Sequence, residues 1–198
     1  MRPRNQFVAD ERFLPLLASL EDRLLRAIEL VSPENICGLW GHRAEQLLQN
    51  TAAEVEANAV GVWLRDRDNK HLVLAYNAGP TGKMVVREVR QPVTEGIVSL
   101  VLQSEQPFLE NDVQKNAQHS KLVDMALHQH TEAMIVVPFY LQSQCRGVLS
   151  CVQVSYDNVS GPAPSGFDMQ DLASMQLAAS LLGDIIDYQL LRVTIGWT

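Results

Sequence analysis

The sequence predicts an α+β fold, and three observations carry that prediction. Residues 11–57 show the three- and four-residue apolar spacing of amphipathic helices. From residue 60 to residue 154 the apolar residues come instead in short, strand-length runs separated by polar turns. After Asp168 the helical spacing returns and runs almost to the end of the chain.

Along residues 11–31, apolar side chains fall at Phe13, Leu17, Leu20, Leu24, Ala27 and Val31, in steps of 4, 3, 4, 3 and 4. That is one stripe on a helix of about five turns. Pro15 is tolerable only near its start. Ser32-Pro33-Glu34 reads as an N-cap, a first-turn proline and a first-turn acid, opening a short helical piece that runs through Trp40 and is broken by Gly41. A further helix over 42–57 buries Ala44, Leu48, Thr51 and Val55.

The strand region begins with V-G-V-W-L-R (60–65) and H-L-V-L-A-Y (71–76). D-R-D-N-K between them is a polar hairpin turn, which makes the pair antiparallel. A-G-P-T-G (78–82) is a loop and M-V-V-R-E-V-R (84–90) a third strand. Thr94 opens a short helix over 95–103, P-F-L-E (107–110) is a short strand, and the polar stretch 111–130 mixes loop and helix at the surface. Residues 133–140 and 147–154 form a hairpin. Pro138 cannot donate to a ladder, so it demands a bulge or an edge position. S-G-P-A-P-S-G (160–166) is a loop. Asp168 and Asp171 then resemble a capping box opening the last helix, striped at Leu172, Met175, Ala179, Leu182, Ile186, Leu190 and Val193.

Composition narrows the function classes. The 198 residues, 46% hydrophobic and 20% charged, suit one soluble domain with a proper core. A net charge of −7 argues against nucleic acid as the main partner. No run is long enough to cross a membrane, and no signal-peptide pattern opens the chain. Three irregularly spaced cysteines do not form a disulfide framework, so a cytoplasmic setting is expected.

Cys145 and Cys151 lie six residues apart on one predicted strand, roughly 20 Å of extended chain and beyond disulfide reach. Cys151 sits among apolar neighbours and reads as a small core residue. Cys145, beside the turn and Arg146, reads as more exposed, with one neighbouring cation as weak grounds for activation. His128 and His130 could share a strand face, but no third ligand is in view and no metal site is expected.

Several phrases, in order, resemble the GAF domain family of sensory modules. They are G-V-W-L-R-D, A-Y-N-A-G, V-T-E-G-I-V-S-L-V-L-Q-S-E-Q-P-F-L-E-N-D-V, I-V-V-P-F, C-R-G-V-L-S-C-V-Q-V and F-D-M-Q-D-L, spanning roughly 42–190. The resemblance implies a PAS-related, twisted antiparallel sheet of five or six strands, with N- and C-terminal helices on one face and a small-molecule pocket on the other. It divides the chain into an N-terminal helical extension (1–41), a GAF-like domain (42–193) and a short tail (194–198).

Under that resemblance Trp63, Tyr76, Phe108, Asn111, Asp112, His119 and His128 are the candidate pocket lining. Phytochrome-like relatives tie a bilin to cysteine in the pocket region; residues 71–130 contain no cysteine, so no covalent bilin is expected, and the cofactor is left unassigned. The cyclic-nucleotide signature is echoed only loosely by Asn158, Phe167 and Asp168. Free methionine sulfoxide reductases, an enzymatic branch, use closely placed pocket cysteines, a pattern not recognised here.

The terminal helices carry a second expectation. Leu177, Leu181, Ile185 and Tyr188 make a second apolar strip on the last helix, and a helix apolar on two sides must bury both. With Leu17, Leu20 and Leu24 they are the candidate homodimer interface. The reading is thus a non-enzymatic sensory or regulatory module that binds a small molecule and relays through terminal helices. It is either a stand-alone regulator acting on a signalling protein or the sensor part of a longer chain with an output domain. The alternatives are a ligand-free interaction scaffold and, less favoured, a thiol-dependent reductase.

Overall fold

A computed structural model of the protein describes residues 11–80, 82–157 and 163–197. Asn158, the start of the predicted 160–166 loop and the side chain of Phe13 lie outside the described residues. After a 3-10 turn at Glu11–Phe13 come α1 (Leu14–Glu29) and α2 (Ile36–Glu54), then β1 (Ala59–Arg65), β2 (His71–Asn77) and β3 (Arg90–Pro92). Next are α3 (Ile97–Ser104), β4 (Phe108–Glu110), α4 (Leu122–Leu127), β5 (His130–Leu141), β6 (Gln144–Ser155) and α5 (Met169–Thr194). The six strands form one antiparallel sheet in the order β3-β2-β1-β6-β5-β4, the predicted α+β architecture.

Two cores sandwich this sheet. On one face α1, α2 and α5 cover a large cluster that includes Ile28, Trp40, Leu48, Val62, Phe139, Leu149, Cys151, Met175 and Ile186. On the other, α3 and the loops cover a smaller one with Trp63, Leu72, Leu74, Ile97, Val101, Val136 and Val148. Each fully buried side chain such as Phe139 or Leu149 stabilises the fold by about 1.5–3 kcal/mol through lost apolar exposure.

Local chemistry explains most boundaries. Asp168 accepts the N–H groups of Gln170 (2.7 Å) and Asp171 (3.0 Å), and the Asp171 carboxylate accepts the Asp168 N–H (2.9 Å), the predicted capping box. The α5 stripe is buried from Leu172 to Leu190, but Val193 is exposed, so the packed face ends one turn early. Gly41 kinks α2 at φ +60° rather than ending it. Gln142 and Ser143, both at positive φ, close the β5–β6 hairpin in a two-residue turn whose twist suits the strands.

β4 pairs with β5 only as far as Val136, so Pro138 lies where one flank of β5 is unpaired. The bulge falls one step on, between Phe139 and Tyr140, with Arg146 as the extra residue on β6.

Three local expectations are corrected. The strand expected over 84–90 is a 3-10 turn and irregular backbone that buries Val85 and Val89, and β3 pairs only at 90–92. Thr94 does not cap α3, which starts at Ile97 behind Gly96 at φ +83°, with no side-chain cap. Ser32 is not an N-cap: the Asn35 side chain accepts its N–H (2.9 Å) and donates to the Leu30 carbonyl (2.8 Å), tying the α1–α2 corner.

Candidate functional site

On the face away from the terminal helices the sheet leaves a cavity of about 50 Å³. Its floor is β1, β2, β5 and β6 through Gly61, Trp63, Leu74, Met134 and Ser150, and its roof is α3 and residues 119–129. Gly61 lies close under this wall. A Cβ would stand 3.0 Å from Leu74 Cδ1 and 3.2 Å from Ser150 Oγ, wedged against the bond in which Trp63 Nε1 donates to that hydroxyl (3.1 Å).

One charged group stands in the wall, and it is spent. Asp124 accepts the Thr131 N–H (2.9 Å), the Thr131 hydroxyl (2.6 Å), His119 Nε2 (3.0 Å) and Gln114 Nε2 (3.3 Å). Burial alone would raise its carboxyl pKa; the bonds from His119 and Thr131 outweigh that and hold it below the ordinary value. Facing a carboxylate, His119 must carry its proton on Nε2. The pair, with side chains 5% and 6% exposed, pins the 113–131 segment over the cavity. No lysine or arginine lines the cavity among the described residues.

Of the seven candidate lining residues the fold brings Trp63 and His119 into this wall. Tyr76 lies on the opposite face, edge-on to Trp40 at 5.2 Å. A register shift between Val62 and Trp63 pairs Val62 with Tyr76 and Trp63 with Leu74, which carries Tyr76 to the helix side. Phe108 packs on the edge of the smaller core. Asn111 is structural: it donates to the Phe167 carbonyl (2.9 Å) and accepts its N–H (2.8 Å), anchoring the approach to α5. Asp112 is paired with Lys115 in solvent (2.6 Å).

His128 takes a left-handed conformation capping α4 and lines a shallow outer groove, where His130 Nε2 meets Asp157 Oδ1 (2.8 Å). The described residues hold no group of three His, Cys, Asp or Glu side chains able to grip a metal. Sequence reasoning missed Gly61, Gln91, Asp124, Gln129, Thr131 and Ser150. Ser150, alternating with Val148 and Val152 on one strand face, was the readable signal among them.

The cysteines separate. Cys145 packs against the cavity-side core, and Cys151 is buried in the helix-side core, across the sheet. Burial pushes the Cys151 thiol up to about 12 and, with Glu105 nearby, also raises Cys145, so neither is activated.

Across the sheet, Leu177 (61% exposed), Leu181 (41%) and Tyr188 (51%) form an open row on α5, with Ile185 half-buried beneath. On α1, Leu24 is buried and Leu20 partly so, whereas Leu17 is exposed, as are Leu14 and Leu16. α1 therefore packs down only by its second half.

The family model of the GAF domain matches residues 41–187. None of the curated protein sequences compared with the chain matches it. Among solved structures, the GAF domain of an Acinetobacter phosphoenolpyruvate-protein phosphotransferase is similar over 90% of this chain and 97% of its own (18% identity, TM-score 0.57). A free methionine-R-sulfoxide reductase from Neisseria meningitidis, solved with its substrate, is similar over 92% and 95% (18% identity, TM-score 0.56). A methyl-accepting chemotaxis protein fragment is similar over 88% and 97% (13% identity, TM-score 0.58). At these identities the likeness is one of fold.

Proposed function

The chain belongs to the GAF domain family, and from that premise we propose that it is a non-enzymatic sensory module whose cavity takes a small molecule and whose α1 and α5 join two copies. The observation that carries the reading is the arrangement itself. A cavity with unspent hydrogen-bonding groups lies on one sheet face, and helices with an open apolar row lie on the other. β5 links them: Thr131 and Met134 stand in the cavity wall, and its far end runs under α5, where Gly183 meets the Tyr140 carbonyl. Seating a ligand would shift β5, and α5 would move with it.

Catalysis by thiols has little support, because the two strand cysteines face opposite cores with raised pKa values. The nearby fold of a methionine sulfoxide reductase keeps that alternative in the test. A second reading, a scaffold without ligand, is favoured by the cavity's size. At about 50 Å³ it holds a few waters, whereas drug-sized ligands need about 300–1,000 Å³, so anything larger must lift the 113–131 segment. Native mass spectrometry of freshly purified protein separates the readings. A dimer carrying a small-molecule adduct supports the sensor, a dimer without one supports the scaffold, and a monomer at high micromolar concentration defeats the helical interface. Turnover of free methionine sulfoxide lost on Cys145→Ser would restore the enzymatic alternative.

A further inference from the structure

Gln129, between α4 and β5, is 7% exposed, forms part of the cavity wall, and its carboxamide makes no hydrogen bond to any described residue. Its backbone N–H is used, donating to the Asp124 carbonyl (3.1 Å). Its amide atoms are not sealed off, since the fully buried side-chain atoms without a partner among the described residues are Ser32 Oγ and Trp40 Nε1, so the carboxamide meets open space and can bond what fills it. Its neighbours in the wall are in a similar state. Ser150 uses its oxygen to accept from Trp63 and has its O–H to give. Gln91 spends its Nε2 on the Glu95 carbonyl (2.6 Å) and Ser99 Oγ (3.1 Å), leaving its amide oxygen.

The unspent capacity is therefore neutral and of both kinds, donor and acceptor. The carboxylate in the wall, Asp124, already accepts four hydrogen bonds, and no lysine or arginine lines the cavity among the described residues. An anion would find no counter-charge and would meet the Asp124 carboxylate; a cation would meet a carboxylate whose Oδ2 already accepts three hydrogen bonds and whose Oδ1 accepts the Thr131 hydroxyl. Trp63, Leu74, Ile97 and Val98 supply apolar wall for the rest of a small ring.

We propose that this cavity selects a small uncharged molecule bearing a carboxamide- or lactam-type donor–acceptor pair, with Gln129 as its main polar contact. The proposal rests on the sensor reading above and gives its ligand a chemical class. An amide facing an amide exchanges two hydrogen bonds at once, which a ketone, a carboxylate or an ammonium cannot do.

The test titrates the 198-residue protein, followed by NMR, with four probes of five or six heavy atoms: 2-pyrrolidinone, cyclopentanone, butyrate and pyrrolidine. Expected is 2-pyrrolidinone binding with a Kd on the order of 1 mM, as its few atoms allow. Cyclopentanone should bind at least tenfold more weakly, the two ions not measurably, and shifts should centre on Gln129, Trp63 and Ser150. Gln129→Leu should weaken 2-pyrrolidinone at least tenfold while the melting temperature holds, since the carboxamide it removes has no hydrogen-bond partner among the described residues; the retained transition also shows that the variant folds.

Equal or tighter binding of butyrate or pyrrolidine overturns the class and leaves the sensor reading standing. So does a co-purified ligand of another class when no probe binds. Unchanged 2-pyrrolidinone binding in Gln129→Leu overturns the role of that residue. No probe binding and no co-purified molecule overturn both the class and the sensor reading.

Discussion

Removing the Asp124 carboxylate is the sharpest perturbation the fold offers. In Asp124→Ala, the Thr131 N–H, the Thr131 hydroxyl and His119 Nε2–H lose their acceptor together, and Thr131 and the His119 side chain are almost fully buried. A buried donor stripped of its partner costs about 1–3 kcal/mol. The hydroxyl can turn toward another acceptor, and loss of the carboxylate relieves its own desolvation, so the sum falls at about 3–5 kcal/mol, the lower part of what three such donors would cost.

With a urea m-value of about 2 kcal/mol/M, the midpoint should drop by roughly 1.5–2.5 M at pH 7. Thr131→Val, which removes one hydroxyl, should cost only about 1 kcal/mol. The pH dependence has a defined sign. Asp124 has a folded pKa below its ordinary 3.8, so its stabilisation is fully present above that value and is lost as pH falls through the folded pKa. The gap between parent and Asp124→Ala should stay constant from pH 8 to about 5 and close below about 4. A gap under about 1 kcal/mol at pH 7, or one that widens with acid, would refute the buried-network argument.

Three further outcomes test other parts of the fold. Gly183→Ala places a Cβ 2.6 Å from the Tyr140 carbonyl, so α5 must back away from β5. Thermal unfolding should show a loss of about 1–3 kcal/mol, despite alanine's better helix propensity, and a gain would disprove the close contact. Leu177→Glu with Leu181→Glu changes two exposed positions, so the melting temperature should hold while light scattering reports a monomer; a dimer that survives moves the interface elsewhere. Cys151, buried with its thiol at about 12, should resist thiol reagents in the folded protein at pH 8 and react only on unfolding; rapid labelling would contradict its core position.

What could be read early was whatever local spacing controls. The α5 stripe, the Asp168–Asp171 cap and the β5–β6 hairpin each depend on residues a few positions apart, and each stands in the structure. Val85 and Val89 misled because apolar alternation reports burial and not a regular ladder; both are buried, and residues 87–89 bond to Leu74 of β2 only through turn-like backbone. Tyr76 was ambiguous for a related reason. One register shift opposite it decides which face it serves, and nothing in the residues 71–76 announces that shift.

By itself, the sequence determined the α+β class, the order of its elements and the separation of Cys145 from Cys151, because periodicity and capping are written within single turns and strands. Tertiary structure alone decided the site. Gln91 on β3, Gln129 in the α4–β5 connection and Ser150 on β6 meet only when the sheet closes beneath α3. Whether a polar residue there is spent or free depends on partners far along the chain, as Trp63 Nε1 reaching Ser150 Oγ across 87 positions illustrates. Burial turns those pairings into binding chemistry, since a hydrogen-bonding group costs little in water and much in a closed cavity.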